Sequence, residues 1–193
     1  MPPKARFTKE QVIEAALDIV REGSLDSLTA RALGKRLGSS ACPIFTVFEN
    51  MEEVQQEVFE AAKALYKEYI EKGLSETPAF KGVGTQYILF AIEEPKLFQI
   101  LFMHERTAVP GLDSVLPLID ESYDKILMSI VSGYGMEGAA AERLYRHLWI
   151  YTHGIASLCA TRMCHFTGDE ISKMMTEVFI GLLKTMKEGN VND

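Results

Sequence analysis

Three cysteines, Cys42, Cys159 and Cys164, are too few and of odd number to staple a fold, so a chain of 193 residues has to hold together by packing. Proline is scarce, at 7, and 47% of the residues are apolar, which excludes collagen-like and disordered classes. Long hydrophobic runs are missing as well. The longest stretch free of Asp, Glu, Lys and Arg lies between Arg146 and Arg162, includes His147 and His153, and is too short and polar to span a bilayer. No apolar leader follows Met1, so no membrane association and a reduced, cytoplasmic location are expected. Alternating strand patterns are nearly absent, and apolar residues recur at helical spacing almost throughout, which predicts an all-α fold.

Charge is present but uneven. The first 48 residues hold 7 Lys+Arg against 5 Asp+Glu, and the rest hold 13 against 22, so a mildly basic head precedes an acidic body. Helix 1 starts at Thr8, with Gln11 completing a capping pair; Val12, Ile13, Ala16, Leu17 and Val20 form its apolar stripe and Gly23 ends it. A second helix is expected over Thr29–Leu37 and a third within Ser40–Phe48, where Pro43 fits only in the first turn. Asn50 with Glu53 opens a long fourth helix through Val54, Val58, Phe59, Ala62, Leu65 and Tyr69 to Gly73. Thr77-Pro78 and Glu94-Pro95 mark further starts, His104–Gly111 reads as a loop, and helices are expected over 113–133, 138–165 and 169–187. The expected division is a domain of residues 1–50 and a second of 51–193.

Three short helices with a tight Gly38-Ser39-Ser40 turn between the last two have the layout of a helix-turn-helix DNA reader. The second helix would cross the backbone and needs donors and cations, supplied by Thr29, Arg31, Lys35 and Arg36. The third would enter the major groove and needs short side chains, as at Ala41, Cys42, Pro43 and Thr46. The alternative from spacing alone is a plain three-helix core with solvated charges.

The runs T-K-E-Q-V-I-E-A-A-L-D-I-V-R-E-G, L-T-A-R-A-L-G-K-R-L-G-S-S and P-I-F-T-V-F-E-N-M-E-E-V, within Thr8 to Val54, resemble the N-terminal domain of the tetracycline-repressor (TetR) family of transcription regulators. His147 to Gly154, with Trp149 and His153, resembles the W-x-x-x-H-G signature of one group of its effector domains. The resemblance implies a non-enzymatic, ligand-responsive regulator, acting as a repressor. It implies a homodimer bound to a palindromic double-stranded DNA operator and released by a small, mostly apolar effector, without a cofactor. DNA contacts are then expected from Arg6, Thr29, Arg31, Lys35 and Ser40, and from Ala41, Cys42, Pro43, Phe45 and Thr46, with Arg31 the direct base reader. Phe45 stands where the family usually has a phosphate-bonding tyrosine, Met51 where it has a lysine, and Gly34 where it has an alanine. These departures favour the competing reading: a helical small-molecule-binding or scaffold protein whose head has weakened or lost DNA binding.

Residues 90–165 are rich in Met and aromatics. Phe98, Phe102, Met103, Tyr123, Met128, Trp149, His153 and Met163 fit either a plain core or an adaptable ligand pocket, and the resemblance makes them candidates for the pocket. The last two helices carry more apolar positions than one core requires. Leu144, Leu148 and Ile155, with Val178, Phe179, Leu182, Leu183 and Met186, are therefore expected in a dimer interface. Two other signals carry little. Gly133-Tyr-Gly135-Met-Glu-Gly138 is a literal G-x-G-x-x-G, yet no acidic residue lies about twenty positions on and no strand pattern surrounds it. Cys159, Cys164 and His165 are spaced so that they share no helical face, which argues against a metal or redox site.

Overall fold

The computed structural model of the chain describes residues 6–105, 109–136 and 138–189. The described residues form helices joined by turns, with no strand among them. In chain order these are α1 (Lys9–Glu22), α2 (Ala30–Arg36), α3 (Met51–Leu74), α4 (Ala79–Glu93), α5 (Pro95–Phe102), α6 (Val115–Ile119), α7 (Tyr123–Tyr134), α8 (Gly138–Ala160) and α9 (Gly168–Gly189). The protein is all-α, with an N-terminal helix-turn-helix unit and a helical C-terminal domain. One compact unit takes the chain up to Leu65 together with Glu94–His104; the other takes Tyr66–Glu93 and the chain from Glu105 onward. The first part of α3 belongs to one unit and its last part to the other, and α5 joins the N-terminal helices.

In the first unit, Thr8 caps α1: its hydroxyl accepts from the Gln11 N–H at 3.3 Å, while the Gln11 side chain accepts from the Thr8 N–H at 3.0 Å. Val12, Ala15, Ala16, Ile19 and Val20 are the buried stripe of α1, with Ile13 and Leu17 at its margins. α5 packs on α1, and its Leu97, Phe98 and Leu101 are buried. Arg21 of α1 grips Glu94, at the start of α5, in a two-pronged pair at 2.8 and 2.9 Å. α3 begins as expected, since the Asn50 side chain accepts from the Glu53 N–H at 2.8 Å.

The expected third helix over Ser40–Phe48 is a correction. Only a 3₁₀ turn forms there, over Ile44–Thr46, with Ile44 as its buried anchor. Pro43 brings no N–H, and the segment is short of strong helix formers. Gly34 supplies a further cause. A Cβ there would lie 2.9–3.0 Å from the Ser40 and Ala41 backbone, so glycine is what lets this turn settle directly on α2.

The second unit is built around α4, which is apolar on most sides and is packed against both α7 and α8. The end of α3 crosses α4 at very close range: a Cβ on Gly73 would sit 2.7 Å from the Val83 N and Cα. The helix expected over 113–133 is broken into α6 and α7. Its break is chemical, because the Asp120 carboxylate accepts from the Ser122 N–H at 2.8 Å, an Asx turn that competes with helix continuation. α8 stops at Ala160 rather than 165, where Arg162 adopts a left-handed φ of 57°. Gly135, also left-handed, caps α7, which accounts for that glycine of the G-x-G-x-x-G run. Residues 106–108 of the expected loop, and Glu137 of the glycine run, lie outside the described residues.

Candidate functional site

Two candidate surfaces stand out, one in each unit. In the first, Arg31 and Lys35 are exposed and make no ion pair among the described residues. Arg36 is engaged with Asp18 at 3.5 Å and with Glu22, so its charge is partly neutralised. Arg6 donates to the Ser39 hydroxyl at 3.2 Å, which holds it beside the turn. The Thr29 hydroxyl caps α2 by accepting from the Ala32 N–H at 3.1 Å. Ser40, Cys42, Phe45 and Thr46 are exposed, and Ala41 and Pro43 are half-buried. The Thr46 hydroxyl donates to the Pro43 carbonyl at 2.7 Å, and Phe45 presents an apolar ring that is 42% exposed.

In the second unit, Tyr66 of α3 and residues of α4, α7, α8 and α9 enclose a cavity of about 370 Å³, within the range of small-molecule sites. Tyr66, Phe80 and Tyr87 come to it from α3 and α4, and Tyr134, Tyr145, Trp149 and Phe179 from α7, α8 and α9. These rings interlock. Phe80 stands edge-on to Tyr145 at 5.9 Å, and Tyr134 meets Phe179 at 4.8 Å. Pro78, Lys81, Thr176 and Ile180 are exposed members of the lining, so the cavity opens to solvent beside the start of α4 and along α9.

Two polar groupings interrupt this apolar wall. Tyr66 donates its hydroxyl to Asp120 at 2.8 Å, and Asp120, only 7% exposed, lines the cavity. Burial pushes the Asp120 carboxyl above its ordinary range, opposed by the hydrogen bonds from Tyr66 and Ser122. The Tyr66 hydroxyl is held well above its usual value, first by burial and then by the Asp120 charge. In the second grouping the Tyr87 hydroxyl lies 2.9 Å from His153 Nδ1, and the imidazole stacks on Trp149 at 5.3 Å. Burial lowers the His153 pKa, favouring the neutral ring, so that with the proton on Nε2 its Nδ1 accepts from Tyr87.

Of the residues expected in a pocket, Trp149 lines this cavity, whereas Tyr123 and His153 stand one contact behind it, through Tyr145 and Tyr87. Phe98, Phe102 and Met103 lie in the first unit, where Phe98 and Phe102 pair at 5.1 Å and Phe98 is core. Met128 and Met163 are 61% and 78% exposed and do not line this cavity. Sequence reasoning missed Asp120, Tyr66, Tyr87 and Tyr145. The tyrosine distribution held a signal, since four of the chain's seven tyrosines line the cavity.

The expected dimer residues divide. Leu144, Leu148, Ile155 and Met186 are buried within this chain, and Leu148 and Phe179 line the cavity. Val178, Leu182 and Leu183 are half-buried. A side chain already inside its own core has no area left to bury against a second copy, so the exposed apolar positions of α8 and α9 lie elsewhere, at Ile150, Leu158 and Ile180.

Residues 80–179, just over half of the chain, match the family described as "Tetracyclin repressor-like, C-terminal domain". The matched span holds most of the cavity lining, including Asp120. No curated protein matches the chain. Among the described residues, no helix is long and apolar enough to cross a membrane.

Proposed function

Because the chain belongs to the tetracycline-repressor-like family of ligand-responsive transcription regulators, we propose that it is a repressor that binds a palindromic operator as a homodimer and leaves it when a small molecule fills the cavity. The observation that carries this reading is the aromatic-walled cavity inside the span of the family match. Tyr66 lines it from α3, the same helix whose buried Val54 and Val58 belong to the N-terminal unit. A ligand that shifts Tyr66 thus acts on an element common to both units, as coupling between two sites requires.

Operator reading falls to Arg31 and Lys35, with Arg6 and the turn around Ile44–Thr46 beside them. Two copies are needed, because one short element reads too few bases and a two-fold pair doubles the contacts. Selection of bound sequences from a random DNA pool at low and moderate salt tests the reading, and an enriched palindrome supports it. Arg31→Ala should then weaken binding to that palindrome by about 1–3 kcal/mol while barely changing non-specific binding. An equal loss on all sequences would mean that Arg31 touches only phosphate.

A second reading has its own observation. A 3₁₀ turn stands where a groove-entering helix was expected, and Arg36 is tied into ion pairs. Both favour a ligand-binding or scaffold protein with weakened DNA binding; no enrichment at either salt concentration would select it.

A further inference from the structure

Asp120 is a costly residue to have in that cavity. A carboxylate removed from water is destabilising unless a cation or several donors compensate it. Two donors reach it, the Tyr66 hydroxyl and the Ser122 N–H, each at 2.8 Å. A carboxylate offers about four acceptor positions, so capacity remains on a group that faces the cavity. No Lys or Arg is ion-paired with it among the described residues, and the charged neighbour that acts on it, Glu121, has the same sign. Lys81, the basic residue of the lining, is exposed, so its ammonium is screened by solvent.

The rings beside the carboxylate fit the same chemistry. Tyr66 and Tyr87 stand edge to face at 5.9 Å, and Tyr145 is held in place by stacking on Tyr123 at 5.6 Å. Electron-rich rings around a buried negative charge attract a positive centre and give an anion nothing. We infer that the cavity takes a lipophilic organic cation, its positive centre set against the Asp120 carboxylate among the rings of Tyr66, Tyr87 and Tyr145. The inference rests on the cavity being the effector site and names the class of molecule that site selects. A neutral ligand would gain the apolar burial alone and leave the carboxylate uncompensated.

Three probes of similar size separate the possibilities, titrated calorimetrically into the full chain: benzyltrimethylammonium, its uncharged carbon isostere neopentylbenzene, and the anion phenylacetate. The cation should bind at least about tenfold more tightly than the isostere. Asp120→Asn, which keeps an oxygen for the Ser122 N–H but removes the charge, should erase that preference and leave neopentylbenzene within about twofold of its wild-type affinity. Equal or tighter binding of the isostere, a preference for phenylacetate, or a preference that survives D120N overturns the inference. The wild-type comparison decides by itself should D120N not fold. Equal binding of cation and isostere, with release of the operator by both, overturns only the charge selectivity. No binding by any probe overturns both this inference and the cavity as effector site.

Discussion

Asp120 and His153 titrate in opposite senses, and each makes a prediction. The folded-state pKa of Asp120 is raised by burial, so its favourable contribution is complete below the ordinary value near 3.8 and is lost as pH rises through the raised value. Once ionised the buried group is a cost, and the urea midpoint of Asp120→Asn at pH 7.5 should equal or exceed that of the wild type. Tyr66→Phe removes a donor from the charged group instead and should cost about 1.5–3 kcal/mol in the same measurement. The His153 pKa is lowered from about 6.5, also by burial. Its contribution is present above 6.5 and is lost as pH falls from there through the lowered value, because the unfolded chain then binds the proton more readily. Urea midpoints at pH 7.5 and 5.5 should fall further apart for the wild type than for His153→Gln; equal separations would mean that burial does not hold the ring neutral.

At the scale of elements, the crossing of α3 and α4 sets the geometry of the cavity. Gly73 lies against the backbone at Val83, while Val83 and Gly84 line the cavity just beyond. A methyl group 2.7 Å from backbone atoms cannot be absorbed by rotating a side chain, so the helices themselves must part. Gly73→Ala should destabilise the protein by about 1–3 kcal/mol, despite alanine's better helix propensity, and should weaken cavity ligands in the same titrations. An unchanged urea midpoint would show that the two helices part at no cost.

For the whole molecule, the decisive quantity is the number of copies in solution. Ile150, Gly154 and Leu158 recur every four residues along the exposed face of α8, and Ile180 of α9 is 59% exposed. Such a row of apolar and small positions suits a second copy of the same helices, and closed two-fold pairing is the commonest arrangement of homo-oligomers. Sedimentation at micromolar concentration should give a dimer, and Ile150→Asp should shift it toward monomer while the chain stays folded by circular dichroism. Leu144→Asp, at a site buried in its own core, should unfold the protein instead. A monomeric wild type would remove the dimer from the proposed function.

The sequence by itself determined what depends on neighbours within a few positions. The caps at Thr8, Thr29 and Asn50 are formed by residues three apart, and the helical period names the buried faces, so the all-α class and the boundaries of α1 and α3 were legible. The same locality explains the failures. Whether 40–48 becomes a helix depends on Gly34 admitting the turn against α2, and the break at Asp120 depends on a side chain that closes an Asx turn onto the Ser122 N–H instead of letting the helix continue. Phe98 and Trp149 are both aromatic residues on amphipathic helices, yet one is core of the first unit and the other lines the cavity of the second. Only the tertiary structure decided that, because a cavity is the space left where several helix faces meet, and periodicity along one helix does not say which face of another it will oppose.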